Sequence, residues 1–102
     1  MLLVLFGLSG SGKNFIANVL VKKFNFTHLD LDNCIQRDLK NAILKNKIPT
    51  DAQRNEFYDA AIQRTKKALA THKRLVVSQA FIKNKYRVLF RKAFPSSIWI
   101  LV

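Results

Sequence analysis

The sequence is poor in the residues that mark linkers, sharp turns and covalent cross-links. Its 102 residues include one cysteine, two prolines and three glycines. The single cysteine, Cys34, excludes a disulfide bond within the chain, which suits a reducing cytosol, and we interpret it as a helix residue without chemistry. So few prolines and glycines exclude a flexible linker. The length predicts one domain over residues 1–102.

Acidic residues are scarce as well. Six aspartates and glutamates face eighteen lysines and arginines, so the formal net charge is +12. A positive field of this size attracts anions such as nucleotides, sugar acids, nucleic acid or anionic membranes. The basic residues are scattered along the chain, whereas a nucleic-acid-binding surface is more often a clustered stripe. Nucleic acid is therefore the less favoured partner.

The apolar run at the N-terminus, Leu2–Phe6, is far too short to span a bilayer. No basic segment precedes it, and glycines and a lysine follow at once, so it does not have the pattern of a signal peptide. Its continuous apolar character is typical of a strand buried on both faces. We expect no membrane partner and a cytoplasmic location.

Strands and helices alternate along the sequence. Apolar runs predict strands over residues 2–6, 26–31, 75–78 and 98–102. Helical periodicity predicts helices over residues 13–24, 33–45, 50–72 and 84–94, the third opening with a Thr50–Gln53 capping box. Phe15 and Phe24 are among the apolar residues that recur at helical spacing in the first helix, and Leu89 is predicted on the inner side of the last helix. Such alternation predicts an α/β fold, with a mainly parallel sheet covered by helices on both faces.

One segment holds all three glycines: Gly7-Leu8-Ser9-Gly10-Ser11-Gly12-Lys13-Asn14. Between a strand and a helix, a glycine, four residues, a second glycine and a lysine are typical of a phosphate-binding P-loop. The glycines let backbone N–H groups approach phosphate oxygens, and the helix N-terminus adds a positive dipole. Lys13 is predicted to reach the β- and γ-phosphates. The segment from Gly7 to Asn14 therefore predicts a nucleotide site, most simply for ATP.

The last residue of this segment departs from the motif. A serine or threonine usually follows the lysine and binds Mg²⁺ through its hydroxyl, whereas this chain has Asn14. An amide oxygen can coordinate Mg²⁺, but it is larger and differently placed. Three interpretations stay open: weakened catalysis, a metal held through water, or nucleotide binding without turnover.

Two aspartates, Asp30 and Asp32, end the second predicted strand. Ligands of open α/β sheets bind at the carboxyl ends of the strands, so both residues are predicted beside the P-loop. A carboxylate there can accept the proton of a substrate hydroxyl, or hold Mg²⁺ directly or through water. A role in the turn and helix cap is the alternative. We favour a functional role, and Asp32 over Asp30.

Other polar residues carry weaker signals. Arg54 follows the capping box and could bind an anionic substrate. His28 and His72 have no cysteine or histidine partner at metal-ligand spacing, and we assign neither a role. Trp99, on the last predicted strand, is expected in the core.

Four segments together resemble the gluconokinase branch of the P-loop small-molecule kinases, with the shikimate kinases as near relatives. The first two are the P-loop and the Asp-x-Asp pair at Asp30 and Asp32. The third is similar to a Gly-x-Pro-Leu-Thr-Asp-x-Asp-Arg stretch with its Gly, Pro, Leu and second Asp changed: Asn46-Lys47-Ile48-Pro49-Thr50-Asp51-Ala52-Gln53-Arg54. The fourth resembles the Lys-x-x-Tyr-Arg that follows the third strand: Lys83-Asn84-Lys85-Tyr86-Arg87.

The resemblance implies a P-loop NTPase-type three-layer α/β/α fold, with about four strands in the order 2-3-1-4. It implies ATP and Mg²⁺ as cofactors, and phosphorylation of a small hydroxylated acid such as gluconate. Lys13 would hold the phosphates, and Asp32 would orient or deprotonate the acceptor hydroxyl. The substrate would be bound by Asp32, Arg54, Lys83 and Arg87. From their own chemistry, and not from the resemblance, Asn14 and Asp32 are the candidate Mg²⁺ ligands, directly or through water.

The resemblance also implies more chain than is present. Family members continue into a lid with arginines, a fifth strand and an adenine-binding segment, whereas this sequence ends at Val102. Loss of a comparable arginine slows phosphoryl transfer about 10³-fold or more. The sequence is therefore expected to be a fragment, the product of a truncated gene, or a protein completed by association. Its apolar last strand would leave a bare edge, available for self-association.

Two other functions stay open. Asn14 and the expected absence of a lid suggest a nucleotide-binding module without catalysis. The net charge of +12 suggests a polynucleotide 5′-kinase or another protein that handles nucleic acid.

Overall fold

Four parallel strands form the centre of the structure, a computed structural model that describes residues 1–8, 10–34 and 50–102. The strands are β1 (Leu2–Phe6), β2 (Thr27–Asp30), β3 (Leu75–Gln79) and β4 (Ile98–Leu101). Their order in the sheet is β2-β3-β1-β4, and every neighbouring pair is parallel. The predicted sheet and its strand order are confirmed.

Three α-helices lie within the described residues: α1 (Lys13–Phe24), α2 (Asp51–Leu69) and α3 (Asn84–Ala93). Helix α2 opens with the predicted capping box. The Gln53 N–H donates to Thr50 Oγ1 at 3.2 Å, and the Thr50 N–H donates to Gln53 Oε1 at 2.9 Å. These two bonds satisfy backbone donors that a helix start otherwise leaves free. No helix in this part of the chain is long and apolar enough to cross a membrane.

The two central strands, β1 and β3, separate two hydrophobic cores. Leu2 and Val4 of β1 face the core formed with α2 and α3. Leu3 and Leu5 face the other core, against Ala17 of α1. Successive side chains of a strand point to opposite faces, so a continuous apolar run suits a strand covered on both sides. The result is the predicted three-layer arrangement.

Three apolar residues of the helical patterns are exposed. Leu89 was predicted on the inner side of its helix and is not there, whereas Phe15 and Phe24 were predicted only to recur at helical spacing. Phe15 is 73% exposed, Phe24 53% and Leu89 42%. Helix α1 rests on the sheet through Ala17, which is fully buried. At 3.6 residues per turn, Phe15 lies about 200° around the helix axis from Ala17. Phe24 is the last residue of α1, and Leu89 lies about 100° from the buried Phe90 on α3.

The second strand is shorter than predicted. It ends at Asp30, and a 3₁₀ turn follows at Leu31–Cys34. The Asp32 N–H donates to Asp30 Oδ1 at 3.0 Å, a local bond that favours a turn over a longer strand. The first two residues of the helix predicted at 33–45 thus belong to this turn. Residues 35–45 of that prediction lie outside the described residues.

A cluster of aromatic rings joins α2, α3 and β4 on one face of the sheet. Phe81 follows β3, and its ring centroid lies 5.0–5.5 Å from those of Tyr58, Phe90 and Trp99. Its backbone has a φ of 47°, the left-handed region that a bulky residue rarely adopts. With only 1% of its surface exposed, the ring is held by packing and so holds the bend after β3. Trp99 packs against the core, as predicted.

The three helices end in basic pairs at the same end of the sheet. The pairs lie in the last turns of α1, α2 and α3, and are Lys22-Lys23, Lys66-Lys67 and Arg91-Lys92. Each helix is antiparallel to the strands, so its last turn lies at the end of the sheet where the strands begin. The basic pairs are therefore near Lys73 and Arg74. Cations there offset the negative end of a helix dipole. No aspartate or glutamate occurs in residues 1–29 or 60–102. We call this region the basic end.

Among the described residues, strand β4 lies at the edge of the sheet and pairs with β1 alone. Apart from Trp99, its side chains are open to solvent: Ile98 is 49% exposed, Ile100 38% and Leu101 71%. Unpaired N–H and C=O groups on such an edge can pair with another chain. Self-association through this edge stays a prediction.

Neighbouring substitutions on α3 should separate buried from exposed positions. Phe90 is fully buried against Phe81, Phe94 and Trp99, so Phe90→Ala should lower the free energy of unfolding by about 3–5 kcal/mol. Leu89→Ala, at the next position, should lower it by less than about 1 kcal/mol. Urea unfolding followed by circular dichroism measures both. Equal losses would contradict this orientation of α3.

Candidate active site

The P-loop connects β1 to α1, and its three glycines all have a positive φ: 148° at Gly7, 81° at Gly10 and 100° at Gly12. At Gly7 a side chain is excluded, because a Cβ would lie 2.5 Å from the Val102 carbonyl oxygen. At Gly12 nothing lies within 4 Å of a Cβ position, so the left-handed φ alone favours glycine there. Ser9 lies outside the described residues. Lack of space therefore requires glycine at position 7, and backbone conformation favours it at position 12.

Lys13, the first residue of α1, reaches back over the loop. Its Nζ donates to the carbonyl oxygens of Gly7 at 2.7 Å and Leu8 at 2.8 Å. The first turn of helix α1 contains no acidic residue. No carboxylate of that turn therefore neutralises the positive end of the helix dipole or occupies the free N–H groups. A lysine charge beside a helix N-terminus forms a binding site for an anion.

A hollow of about 330 Å³ opens beside the loop at the carboxyl ends of the strands. It brings together Lys13, Asn14 and Asp32, and with the loop glycines Gly10 and Gly12 this makes five residues predicted from sequence. The remaining wall comes from Ser78 and Ala80. The hollow thus combines phosphate-binding groups with a carboxylate, which is the combination that the sequence predicts for phosphoryl transfer.

Asp32 and Asp30 have different positions. Asp30 Oδ1 closes the turn after β2 by accepting the Asp32 N–H. Asp32 instead lines the hollow, and its Oδ1 accepts a hydrogen bond from Gln79 Nε2 at 3.2 Å. Partial burial and the nearby Asp30 charge raise the pKa of the Asp32 carboxyl above its ordinary value, while Gln79 and Lys13 oppose that rise. A raised pKa makes a carboxylate a better proton acceptor.

Gln79, which the sequence patterns did not single out, connects three parts of the site. Its Nε2 donates to Asp32, and its Oε1 accepts from the Phe81 N–H at 2.6 Å and from Tyr58 Oη at 3.2 Å. Burial raises the pKa of Tyr58 to about 12, so its hydroxyl remains a donor at neutral pH. Tyr58 also stacks on Tyr86 with ring centroids 4.2 Å apart. The Asp32 carboxylate is thereby tied to the aromatic core.

Ser78 and His28 form a second polar contact that the sequence did not predict. Ser78 is 2% exposed, and its Oγ lies 2.8 Å from His28 Nε2. Burial lowers the pKa of His28 below its ordinary value, with Asp30 opposing the shift. His28 is therefore mainly neutral at pH 7. A polar residue at the end of the buried run Leu75–Val77 was the available signal for Ser78.

Arg54 and Lys83 meet at the start of α2. Both lie 3.9 Å from Asp51 Oδ1, and Lys85 lies 3.7 Å from the same oxygen. Because the Asp51 side chain is 69% exposed, these ion pairs contribute little stability. One carboxylate faces three cations, so this cluster keeps a positive excess that can attract an anion. Residues 46–49 of the resembling stretch lie outside the described residues.

The Arg87 side chain extends away from that cluster, although its backbone N–H donates to the Lys83 carbonyl at 3.4 Å. It lines a second hollow of about 530 Å³, on the β4 side of the P-loop, with Phe6, Gly7, Leu8 and Ser11. Its Nη2 donates to the Ile82 carbonyl at 3.3 Å, and its Nε is buried without a hydrogen-bond partner among the described residues. The structure therefore brings Lys13, Asn14 and Asp32 into one hollow, and Arg87 into another.

One protein family matches nearly the whole chain. Residues 2–98 match the model of a family described as AAA domain. The chain belongs to this family. The match runs from β1 into β4, so the P-loop, Asp32, Gln79 and Arg87 of this AAA-domain protein all lie within it. No curated protein matches the sequence.

Two solved structures share the fold of this AAA-domain protein. A gluconokinase from Sinorhizobium meliloti 1021 superposes with a TM-score of 0.79 and is 23% identical, covering 97% of this chain and 55% of its own. An unliganded sugar kinase from Janibacter sp. HTCC2649 gives 0.82 and 21%, covering 98% and 58%. The likeness shows the fold alone. This chain spans little more than half the length of either structure.

The donors around the first hollow fit a magnesium-bound nucleotide. Within residues 1–8, 10–34 and 50–102 no three His, Cys, Asp or Glu side chains gather as a metal site of their own. Mg²⁺ prefers oxygen ligands and keeps waters, with one or two carboxylates and the substrate phosphates. The Asp32 carboxylate and the Asn14 amide oxygen supply such oxygens at one hollow. These oxygens are too few for a complete Mg²⁺ site, so phosphate oxygens of the nucleotide would have to supply further ligands.

Substitution of Lys13 should weaken nucleotide binding. A charged hydrogen bond contributes about 1.5–3 kcal/mol, so Lys13→Met should lower the affinity for ATP roughly 10- to 100-fold. Lys22→Met, at the basic end, removes the same charge away from the loop and should change the affinity less than about twofold. Isothermal titration calorimetry measures both. Equal losses would show that net charge alone attracts the nucleotide.

Asp32→Asn should stabilise the fold at neutral pH. A raised pKa means that the folded protein disfavours the ionised carboxylate, so this contribution to stability is full below the unfolded pKa and is lost as pH rises through the folded pKa. The melting temperature of Asp32→Asn should exceed that of the natural chain at pH 7, and the gap should close at about pH 3. Asp59→Asn, on the exposed side of α2, is the control. A lower melting temperature for Asp32→Asn at pH 7 would refute the argument.

Proposed function

We propose that this protein binds ATP with Mg²⁺ and transfers the terminal phosphoryl group to a hydroxyl of a small anionic acceptor, such as gluconate. The observation that carries the proposal is the joint placement of Lys13 and Asp32 in one hollow beside the P-loop glycines. Phosphoryl transfer needs mainly positioning and electrostatic stabilisation, and this hollow offers groups for both. The reaction would take place in the cytoplasm.

The roles follow from position. Lys13 and the first turn of α1 bind the β- and γ-phosphates, for which Lys13 exchanges its bonds to the Gly7 and Leu8 carbonyls. Bound Mg²⁺ neutralises charge on the phosphate oxygens, and Asp32 and Asn14 are the residues that would hold it. Asp32 also accepts the proton of the acceptor hydroxyl, while Gln79 keeps its carboxylate in place.

The acceptor would enter from the side of Arg54 and Lys83. These cations lie around Asp51 at the start of α2, and α2 also carries Tyr58, which is linked through Gln79 to Asp32. An acidic acceptor such as a sugar acid has the charge that this cluster attracts. The resemblance predicts Arg87 as a substrate-binding residue. Its side chain lies on the β4 side of the P-loop instead. We therefore propose that it contacts the nucleotide and not the acceptor.

A polynucleotide acceptor fits less well. The uniformly basic surface of the described residues is the basic end, where the strands begin. The hollow with Lys13 and Asp32 lies at the opposite end of the same strands. A nucleic-acid backbone held at the basic end would therefore not present a 5′-hydroxyl to Asp32, whereas a small acceptor needs no second surface.

Nucleotide binding without transfer is the second candidate, and Asn14 is the observation that favours it. It occupies the position of the usual Mg²⁺-binding hydroxyl and lines the hollow with Asp32. Binding would persist in that case, because Lys13 and the loop backbone do not depend on residue 14.

A coupled assay with ATP, Mg²⁺ and gluconate separates the two. Turnover supports the kinase, whereas calorimetric ATP binding without phosphogluconate supports the second candidate. If turnover occurs, Arg54→Ala should raise KM for gluconate about tenfold and leave KM for ATP nearly unchanged, because only the acceptor meets this cation. Arg64→Ala, about three turns further along α2, is the matched control and should change neither constant. A rise in the KM for ATP with Arg54→Ala would place Arg54 elsewhere.

A further inference from the structure

The hollow beside the P-loop contains a hydroxyl that the proposed roles leave unused. Ser78 is the fourth residue of β3, the strand that pairs with both β1 and β2. It lies in register with Leu5 on one side and Asp30 on the other. Its side chain faces the α1 side of the sheet, and it lines the hollow with Lys13 and Asn14. The hydroxyl is thus built into the wall facing the start of α1.

His28 gives this hydroxyl a fixed orientation. Its Nε2 lies 2.8 Å from Ser78 Oγ, and the imidazole is half-buried in β2. A serine hydroxyl offers one donor and two acceptor lone pairs, so one bond to an imidazole leaves further bonding directions open. Ser78 is 2% exposed, and it is one of the residues that line the hollow. Orientation of a ligand by a partner behind it is a common feature of metal sites.

Residue 14 makes this hydroxyl chemically relevant. P-loop proteins usually place a serine or threonine hydroxyl on Mg²⁺ at that position, and this chain has an amide there. Mg²⁺ demands near-ideal octahedral geometry, and the amide oxygen of Asn14 lies further from the backbone than a serine hydroxyl would, so the coordination position of that hydroxyl stays open even if Asn14 binds the metal. Ser78 offers a hydroxyl oxygen in the same hollow, from the strand opposite α1.

We propose that Ser78, oriented by His28, supplies the hydroxyl oxygen to the magnesium–phosphate group in place of the hydroxyl missing at Asn14. The proposal rests on the proposed function only in that Mg²⁺ and ATP occupy this hollow together. It does not require that phosphate is transferred. A purely structural Ser78, serving only to pair with His28, would affect folding and leave the metal dependence of ATP binding unchanged.

A double-mutant cycle on ATP binding tests the proposal. The measured quantity is the magnesium gain, the ratio of the ATP dissociation constants in EDTA and in Mg²⁺, obtained by calorimetry for the natural chain, Ser78→Ala, Asn14→Ser and the double variant. Ser78→Ala should reduce the gain about fivefold, as expected for one hydrogen-bonding contact of about 1 kcal/mol. Asn14→Ser should restore it in the Ser78→Ala background, so the two effects should not add.

The controls separate this role from folding. Ser97→Ala removes a hydroxyl from the turn before β4, where Ser97 Oγ bonds the Phe94 carbonyl, and should leave the gain unchanged. Ser78→Cys keeps the size of the side chain but removes the oxygen, so it should lose the gain as Ser78→Ala does while retaining the melting temperature. It replaces Ser78→Ala in the cycle if that variant does not fold.

Three results would overturn the proposal. One is a magnesium gain that stays unchanged in both Ser78→Ala and Ser78→Cys. Another is a Ser78→Ala variant that loses the same part of the magnesium gain with Asn14 as with Asn14→Ser. The third is a natural chain whose ATP affinity does not respond to Mg²⁺. Failure of the proposed function gives a different result: ATP and Mg²⁺ bind with the expected cycle, and gluconate remains unphosphorylated.

Discussion

The parallel pairing of β3 with both β1 and β2 is the constraint on which the site depends. Its register places Gln79 beside Phe6, the last residue before the P-loop, and Ser78 beside Asp30, the last residue of β2. A shift by one residue would turn Ser78 toward α2 and Val77 toward the hollow, because side chains alternate along a strand. The burial of β1 and β3 on both faces fixes that register. The apolar runs therefore determine where the polar groups meet.

How far the sequence predicts this molecule depends on the range of each interaction. The predicted bounds of β1 and α1, residues 2–6 and 13–24, agree with the structure, because an apolar run, glycines and helical periodicity are local patterns. The P-loop and Asp32 were predicted near each other because parallel strands bring their carboxyl ends together. Strand order followed from the resemblance and is confirmed.

What could not be predicted depends on contacts between distant parts of the chain. The bonds from Gln79 to Asp32 and from Ser78 to His28 join residues 47 and 50 positions apart, and they require the register of β2 against β3. Phe15 and Leu89 satisfied a helical pattern but lie on the outer sides of α1 and α3. Periodicity marks an apolar stripe, and only packing shows which part of the stripe the sheet covers.

The basic end gives the molecule a preferred orientation at charged interfaces. Basic pairs close α1, α2 and α3 there, whereas Asp30, Asp32 and Asp51 accompany the cations at the opposite end. On a cation-exchange resin or an anionic sensor chip, attachment through the basic end would turn the P-loop toward the solution. Adsorption would then leave the hollow beside the P-loop accessible, so the protein could be immobilised for binding measurements without an engineered tag.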